Sequence, residues 1–264
     1  MNITIINDCR DDNAKGRQIA RVSSLIEGNI SFVGVQSDIE ASGNLLDVLD
    51  AYQDSPALIL VNVAPRNGTA KKWANGTPFG YFWYKNILVV SSIDGYTLSL
   101  VKKLNLIQEV NVLDIPTVVE RFVNEKILSK ETGNYIMHTQ FRSYEFLPRI
   151  AEYLLKNKGT ENTVVESEAM NIKDFPDMPS VVWYVDNFGN CKTTLLKNEL
   201  QEGENISTKF GNFPYFEKLK DVPDQVSALI TGSSGINDMR LVEFVTQGGD
   251  TAKKFSINSS DMIL

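Results

Sequence analysis

The sequence predicts an α/β protein in two parts. An N-terminal, mostly parallel sheet has helices on both faces. A smaller C-terminal domain is an antiparallel, barrel-like β structure. Three observations predict this. First, short apolar runs at 3–6, 30–35 and 57–63 alternate with two segments of helical spacing. Near-continuous apolar strands separated by helices belong to parallel sheets covered on both faces. Second, residues 157–180 are polar, with Pro176 and Pro179, the composition of a link between domains. Third, the chain beyond reads as short strands at 181–185, 191–196, 205–211, 225–231 and 240–245, with Gly, Asn, Asp and Ser turns between them. The expected limits are 1–160 for the N-terminal domain, 161–180 for the linker and 181–264 for the C-terminal domain.

Taken in order, the β-branched run 3–6 is a buried strand by its brevity and composition. It ends in the polar loop from Asn7 and Asp8 to Asn13, so Asp8 sits just past the carboxyl end of the first strand. Ligands of open α/β sheets bind outside that edge. The plainer alternative is that Asp8 or Asp12 caps the next helix. Residues 15–26 are a helix with Ile19, Val22, Leu25 and Ile26 on one face. Ser37-Asp38-Ile39 opens a second helix with Leu45, Leu46, Val48 and Leu49 as its apolar positions. The strand 57–63 runs into a second polar loop through Pro65, Arg66, Gly68, Thr69, Lys71 and Lys72, which lacks the glycine spacing of a phosphate-binding loop.

Residues 80–84 and 87–90 predict a hairpin around Lys85-Asn86, and its aromatic residues are expected in the core or a subunit contact. A short helix over 96–104 and a strand over 110–115 follow, with a short helix or loop over 116–126. Pro148 is tolerated only in a first turn, so the next helix starts near Phe146 or Leu147. Phe141, Arg142 and Ser143 then fall in the loop ahead of it. The lone histidine, His138, has no Ser or Cys motif near it and is expected to be structural or exposed.

The composition, 42% apolar and 22% charged, is that of a globular domain. A net charge of −7 provides no global basic field, so neither nucleic acid nor an anionic membrane is an expected partner. No apolar run approaches the ~20 residues of a membrane span, and the first ten residues do not read as a signal peptide. Cys9 and Cys191 make no disulfide framework and fit a reducing cytoplasm. Two cysteines and one histidine leave no zinc site of the usual type, so no metal is expected.

The most informative stretch is 182–194, VWYVDNFGNCKTT. A strand end leads into Asp186-Asn187-Phe188-Gly189-Asn190, a tight polar turn, and a second strand follows. An ordinary decorated hairpin accounts for the pattern. The turn also presents a carboxylate, an aromatic face and a carboxamide within five residues, a set that can recognise an amino acid or a nucleoside.

Set side by side, these features carry a resemblance. They are the first strand with Asn7-Asp8 and its helix, Asp38-Ile39, and Val61-Asn62-Val63-Ala64 with Gly68-Thr69. Phe141-Arg142-Ser143-Tyr144-Glu145, Asp186-Asn187-Phe188-Gly189-Asn190 and Gly232-Ser233-Ser234-Gly235 complete the set. Their order resembles the S-adenosyl-L-methionine hydroxide adenosyltransferase and fluorinase/chlorinase family. The turn at 186–190 matches the family's Asp-x-Phe-Gly-Asn in full, while the loop after the third strand is only partly similar to its Val-Asp-Pro-Gly-Val-Gly-Thr. The resemblance implies S-adenosyl-L-methionine bound as a substrate, with no separate cofactor, between subunits of a homotrimer. It assigns Asp8 to the ribose diol, with Asn13 also at the ligand. It assigns Asp186 and Asn190 to the methionine ammonium or the adenine edges, Phe188 to the base, and Phe141 and Ser143 to the substrate pocket. A carboxylate suits a diol or an ammonium, and a flat apolar ring suits a purine.

The water-activating set of the family, Asp–Arg–His, is not kept. Its Asp position is Asn62, its Arg position falls near Lys71 or Lys72, and its His position is Arg142. A carboxamide cannot act as a base, and an arginine keeps its proton. A three-residue insertion would instead bring His138 to the third place. Halogenating members also lack the Asp and His and carry Phe-x-Ser, as Phe141 and Ser143 do here. The reading is an adenosyl-binding protein in which Asn62 and Arg142 occupy the catalytic positions. Its competitors are a non-enzymatic nucleoside-binding or structural trimer, and an unrelated binding protein for an anionic metabolite using Arg66, Lys71, Lys72 and Arg142.

Overall fold

The computed structural model describes residues 1–65, 78–139, 141–159 and 167–264. The chain is a mixed α/β fold with two sheets, and it divides into two units. The first unit is Met1–Ala41 with Tyr52–Pro176, and the second is Ser42–Ala51 with Asp177–Leu264.

The first unit holds a seven-stranded sheet. Its parallel part is β1 (Asn2–Asn7), β2 (Asn29–Gly34), β3 (Ala57–Asn62) and β5 (Ile87–Ser92). The strand order is β2-β1-β3-β5, and all three of these pairings are parallel. Two helices make the crossovers, α1 (Asp12–Ser23) and α2 (Asp38–Tyr52). Residues 57–61 are all buried, so both faces of the sheet are covered, which is why no apolar/polar alternation marks this strand in the sequence.

The other half is antiparallel. β4 (Phe79–Tyr84) turns back onto β5 with Tyr84 opposite Ile87, as the Lys85-Asn86 signal predicts. It thereby enters the sheet on the outside of β5. β6 (Glu109–Leu113) pairs with β4, and β7 (Ser167–Asn171) pairs with β6. Ser167–Asn171 lies within the expected linker 161–180. It is an edge strand exposed along nearly its whole length, and for that reason its composition is as polar as a linker's. Residues 161–166 of the expected linker lie outside the described residues.

Four further helices flank this sheet after the short α3 (Ser99–Lys103): α4 (Ile115–Asn124), α5 (Lys130–His138), α6 (Arg142–Glu145) and α7 (Leu147–Lys156). Pro148 sits in the first turn of α7, where its missing N–H costs nothing. One face of α7, with Leu147, Ile150, Ala151 and Leu154, packs on Ile3, Ile5, Leu58, Leu60, Leu88 and Val90 of the sheet in one core. Truncating Ile150 there would cost about 2–5 kcal/mol. Two expectations are corrected. Helix α1 begins at Asp12 rather than residue 15, because Asp11, not Asp8 or Asp12, caps it by accepting from the N–H groups of Asn13 and Ala14. Arg142 and Ser143 are helical rather than looped, and α5 has no counterpart in the sequence reading although Ser129 caps it.

The second unit is a six-stranded, curled half-barrel in the order β10-β11-β12-β13-β9-β8. The strands are β8 (Val182–Val185), β9 (Cys191–Leu196), β10 (Asn205–Thr208), β11 (Gly211–Phe216), β12 (Ser227–Ile236) and β13 (Met239–Thr246). All pairings are antiparallel except β11–β12. Register shifts interrupt the β12–β13, β13–β9 and β8–β9 ladders, and bulges of this kind bend strands and let a small sheet curl. The expected strand 205–211 is a hairpin, turning between Thr208 and Gly211. A short helix, α8 (Thr251–Phe255), closes one side of the core formed by Val182, Cys191, Leu229, Val242 and Phe244.

No helix among the described residues is long and apolar enough to cross a membrane.

Candidate functional site

In the first unit, β1 leads through α1 to β2 on one side, and β3 lies on the other side of β1. The strand order therefore reverses between β1 and β3. In such sheets the preferred ligand position is outside the carboxyl ends of the strands where the order reverses. Asp8 and Asn62 sit at this place. Asn7 and Asn62 are register partners, and the Asn62 carboxamide Nδ2 donates to Asn7 Oδ1 at 3.4 Å. The Asp8 N–H donates to the Asn62 carbonyl at 3.2 Å. Asp8 Oδ2 accepts from the Ala64 N–H at 3.1 Å. The Val63 N–H donates to Ser92 Oγ, at the end of β5, at 3.0 Å. Asp8 is half-buried, with its carboxylate tied to the chain leaving β3. Asn13 is exposed on the first turn of α1, its N–H held by the Asp11 cap. Arg66, Gly68, Thr69, Lys71 and Lys72 lie outside the described residues.

The next group of expected residues is on α6. Phe141, just before it, is 67% exposed, whereas Arg142 is only 6% exposed. Ser143 Oγ accepts from Gln18 Nε2 of α1 at 3.5 Å. Glu145 accepts from Arg21 and from Arg149 at 3.2 Å each. The guanidinium carbons of Arg17 and Arg21 lie 4.9 and 4.6 Å from the centre of the Tyr144 ring. Burial pushes the pKa of Arg149 down, and Glu145 opposes that shift. Burial also pushes Arg142 down, with no carboxylate opposing it. The α6–α7 junction is tied to the same sheet edge as Asp8. The Phe146 ring lies 6.4 Å from that of Phe79, and Phe79 pairs with Ser92.

His138 is exposed at the end of α5, with Nδ1 2.8 Å from the Asn134 carbonyl. A carbonyl can only accept, so Nδ1 carries the hydrogen. The ring opens on a cavity of about 580 Å³ lined also by Arg21, Tyr135, Glu145 and Arg149, but by neither Asp8 nor Asn62 among the described residues.

In the second unit, Asp186, Phe188 and Asn190 share one turn. Asp186 Oδ1 accepts from the N–H groups of Phe188 and Asn190 at 2.8 and 2.9 Å, and Oδ2 accepts from Asn190 Nδ2 at 3.0 Å. A carboxylate has about four acceptor positions. Three are used, which leaves Oδ2 able to take one more donor. Phe188 is 70% exposed. Gly189 has φ +82°, and a Cβ there would lie 2.0 Å from Asp250 Oδ1, so both conformation and space demand glycine. The Gly189 carbonyl accepts from the Ala252 N–H at 2.9 Å, which fastens the turn to α8.

Asp186, Asn187, Asp250, Lys253, Ser256 and Asn258 line a cavity of about 480 Å³. The Cys191 thiol, buried in the core of this unit, is pushed up to about 12, mainly by burial and further by Asp250, Asp186 and Asp261. The sequence reading missed Asp250. Its signal is Gln247-Gly248-Gly249 ahead of an acidic helix cap, since Asp250 Oδ1 accepts from the Lys253 N–H.

Among the described residues no group of three or more His, Cys, Asp or Glu is placed to hold a metal ion.

No known protein family matches this sequence, and no curated protein does. Solved structures do. A structure described as an uncharacterized conserved protein from Thermotoga maritima is 14% identical, with a TM-score of 0.65 over 99% of this chain and 100% of that one. A conserved hypothetical protein from Thermus thermophilus is 16% identical, with a TM-score of 0.62 over 100% of this chain and 99% of that one. The likeness is one of fold.

Proposed function

We propose that this protein binds S-adenosyl-L-methionine or a related adenosyl compound between subunits of a homotrimer. The observation that carries the reading is the turn at Asp186–Asn190. It holds a carboxylate with one acceptor left, beside an aromatic face that is 70% exposed. An ammonium can donate to that oxygen, and a purine can stack on that ring. Asp8, at the reversal between β1 and β3, supplies the second requirement, a carboxylate for a ribose diol. Phe141 and Ser143 would complete the pocket and Asn13 its rim.

The reaction this reading carries is attack of water on the ribose C5′ with cleavage of the C5′–S bond, releasing methionine, adenosine and a proton to solvent. The residues at the two unmatched positions narrow how it would run. Asn62 is a carboxamide donating to Asn7, and Arg142 keeps its proton, so neither removes a proton from water. Turnover would then depend on in-line positioning and a dry pocket. The same two residues favour the second reading, a relative that binds the nucleoside without converting it.

Calorimetric titration with S-adenosyl-L-methionine, adenosine and methionine tests the proposal. Binding of the first is expected, and no heat at millimolar ligand would overturn it. Release of methionine over hours separates an enzyme from a binding protein.

A further inference from the structure

We propose that Arg142 receives an oxyanion, a carboxylate or phosphate group, through two of its oxygens on the Nε–Nη2 edge of the guanidinium. The inference stands on this side chain and holds with or without an adenosyl ligand.

Arg142 is 6% exposed, and both Nε and Nη2 are buried without a hydrogen-bond partner. These two N–H groups project in parallel from one edge of the planar guanidinium. Their spacing matches two oxygens of a carboxylate or phosphate, which such an edge binds through two parallel bonds. A buried cation lacking both a counter-charge and acceptors is costly, and folded proteins relieve that cost by pairing it.

The neighbouring Arg21 and Arg149 have a counter-charge, although Arg21 Nε is also buried without a hydrogen-bond partner. Arg21 and Arg149 share the carboxylate of Glu145, and Arg17 and Arg21 lie over the Tyr144 ring. Arg142 shares a four-residue helix with Glu145 and Tyr144, yet among the described residues neither a carboxylate nor a ring pairs with it. The local charge also favours an anion. Helix α1 contributes Arg17 and Arg21, and α6 with α7 contributes Arg142, Arg149 and Lys156, against Glu145, shared by Arg21 and Arg149, and Glu152, which pairs with Lys156 and also acts on Arg149. This excess is local, in a chain of net charge −7.

The test is thermal unfolding and calorimetry with sodium formate, sodium phosphate and sodium chloride, at fixed pH and ionic strength. Wild type, Arg142→Lys and Arg142→Gln are compared. Formate or phosphate should raise the melting temperature of wild type saturably, as ligands of the folded state do, while chloride does not. Both variants should lose at least tenfold in affinity. Arg142→Lys keeps the charge but not the fork, so it carries the test if Arg142→Gln does not fold. A response to formate alone identifies a carboxylate ligand, and one to phosphate alone a phosphate ligand. An equal response to chloride, unchanged binding in Arg142→Lys, or no saturable response to either oxyanion would overturn the proposal.

Discussion

The carboxylate of Asp8 accepts the backbone N–H of Ala64 across the reversal between β1 and β3, at 3.1 Å. One side chain thus joins the loop after the first strand to the chain leaving the third. Replacing it should act on both structure and ligand. Asp8→Ala removes a bond worth about 1 kcal/mol and should lower the melting temperature slightly. It should also weaken S-adenosyl-L-methionine and adenosine at least tenfold and leave free methionine unchanged. Asp8→Asn keeps an acceptor for Ala64, so it should restore stability but not adenosine affinity. Titration of the three proteins with the three ligands checks this, and equal loss of methionine binding would count against a ribose role.

Asp186 holds its own turn with three accepted bonds and keeps one acceptor. Asp186→Asn leaves an oxygen for the two N–H groups but no charge for an ammonium. Methionine and S-adenosyl-L-methionine should bind at least tenfold more weakly while adenosine is little affected. Circular dichroism and titration together read this, and unaltered affinity for every ligand would remove the turn from the site.

Gly43 lies against the indole of Trp183, where a Cβ would stand 2.2 Å from Cε3. The ring is 1% exposed and cannot swing clear. Gly43→Ala should destabilise the protein by about 1–3 kcal/mol, the usual cost of overpacking. Denaturant unfolding followed by tryptophan fluorescence measures it, and an unchanged midpoint would mean that the helix shifts freely.

Cys191 titrates at about 12 in the folded protein against an ordinary value of 9.0. The folded value is the higher one, so the unfolded chain ionises first. The stabilising contribution is intact below pH 9.0 and is lost as pH rises toward 12, at about 1.4 kcal/mol per pH unit. Unfolding free energies at pH 8, 9, 10 and 11 should fall more steeply in wild type than in Cys191→Ala. In the native protein at pH 8 a thiol reagent should modify the exposed Cys9 and spare the buried Cys191. Labelling of both without denaturant would show that the core around Cys191 opens.

Much of the fold was legible because its signals are local. The apolar run at 57–61, the Lys85-Asn86 turn and Pro148 each act within a few residues through burial, backbone conformation or a missing donor. What was misread had competing local signals. Ser167–Asn171 is polar because it is an exposed edge, and Asp11 outcompetes Asp8 and Asp12 for the cap by its place in the chain. The candidate site divides the same way. The turn at 186–190 closes on itself, so its residues could be read together. Asp250 is distant in sequence and meets it only through folding.

The sequence alone determined the two-part α/β architecture, the parallel start of the sheet and the self-closing turn at 186–190. These follow from hydrophobic period and from hydrogen bonds spanning a few residues. The tertiary structure decided the strand order with β4 outside β5, the tie between Asp8 and Ala64, and the burial of Arg142 without a partner. Each of those depends on residues far apart in the chain, and no local pattern records which distant groups packing brings together or leaves unpaired.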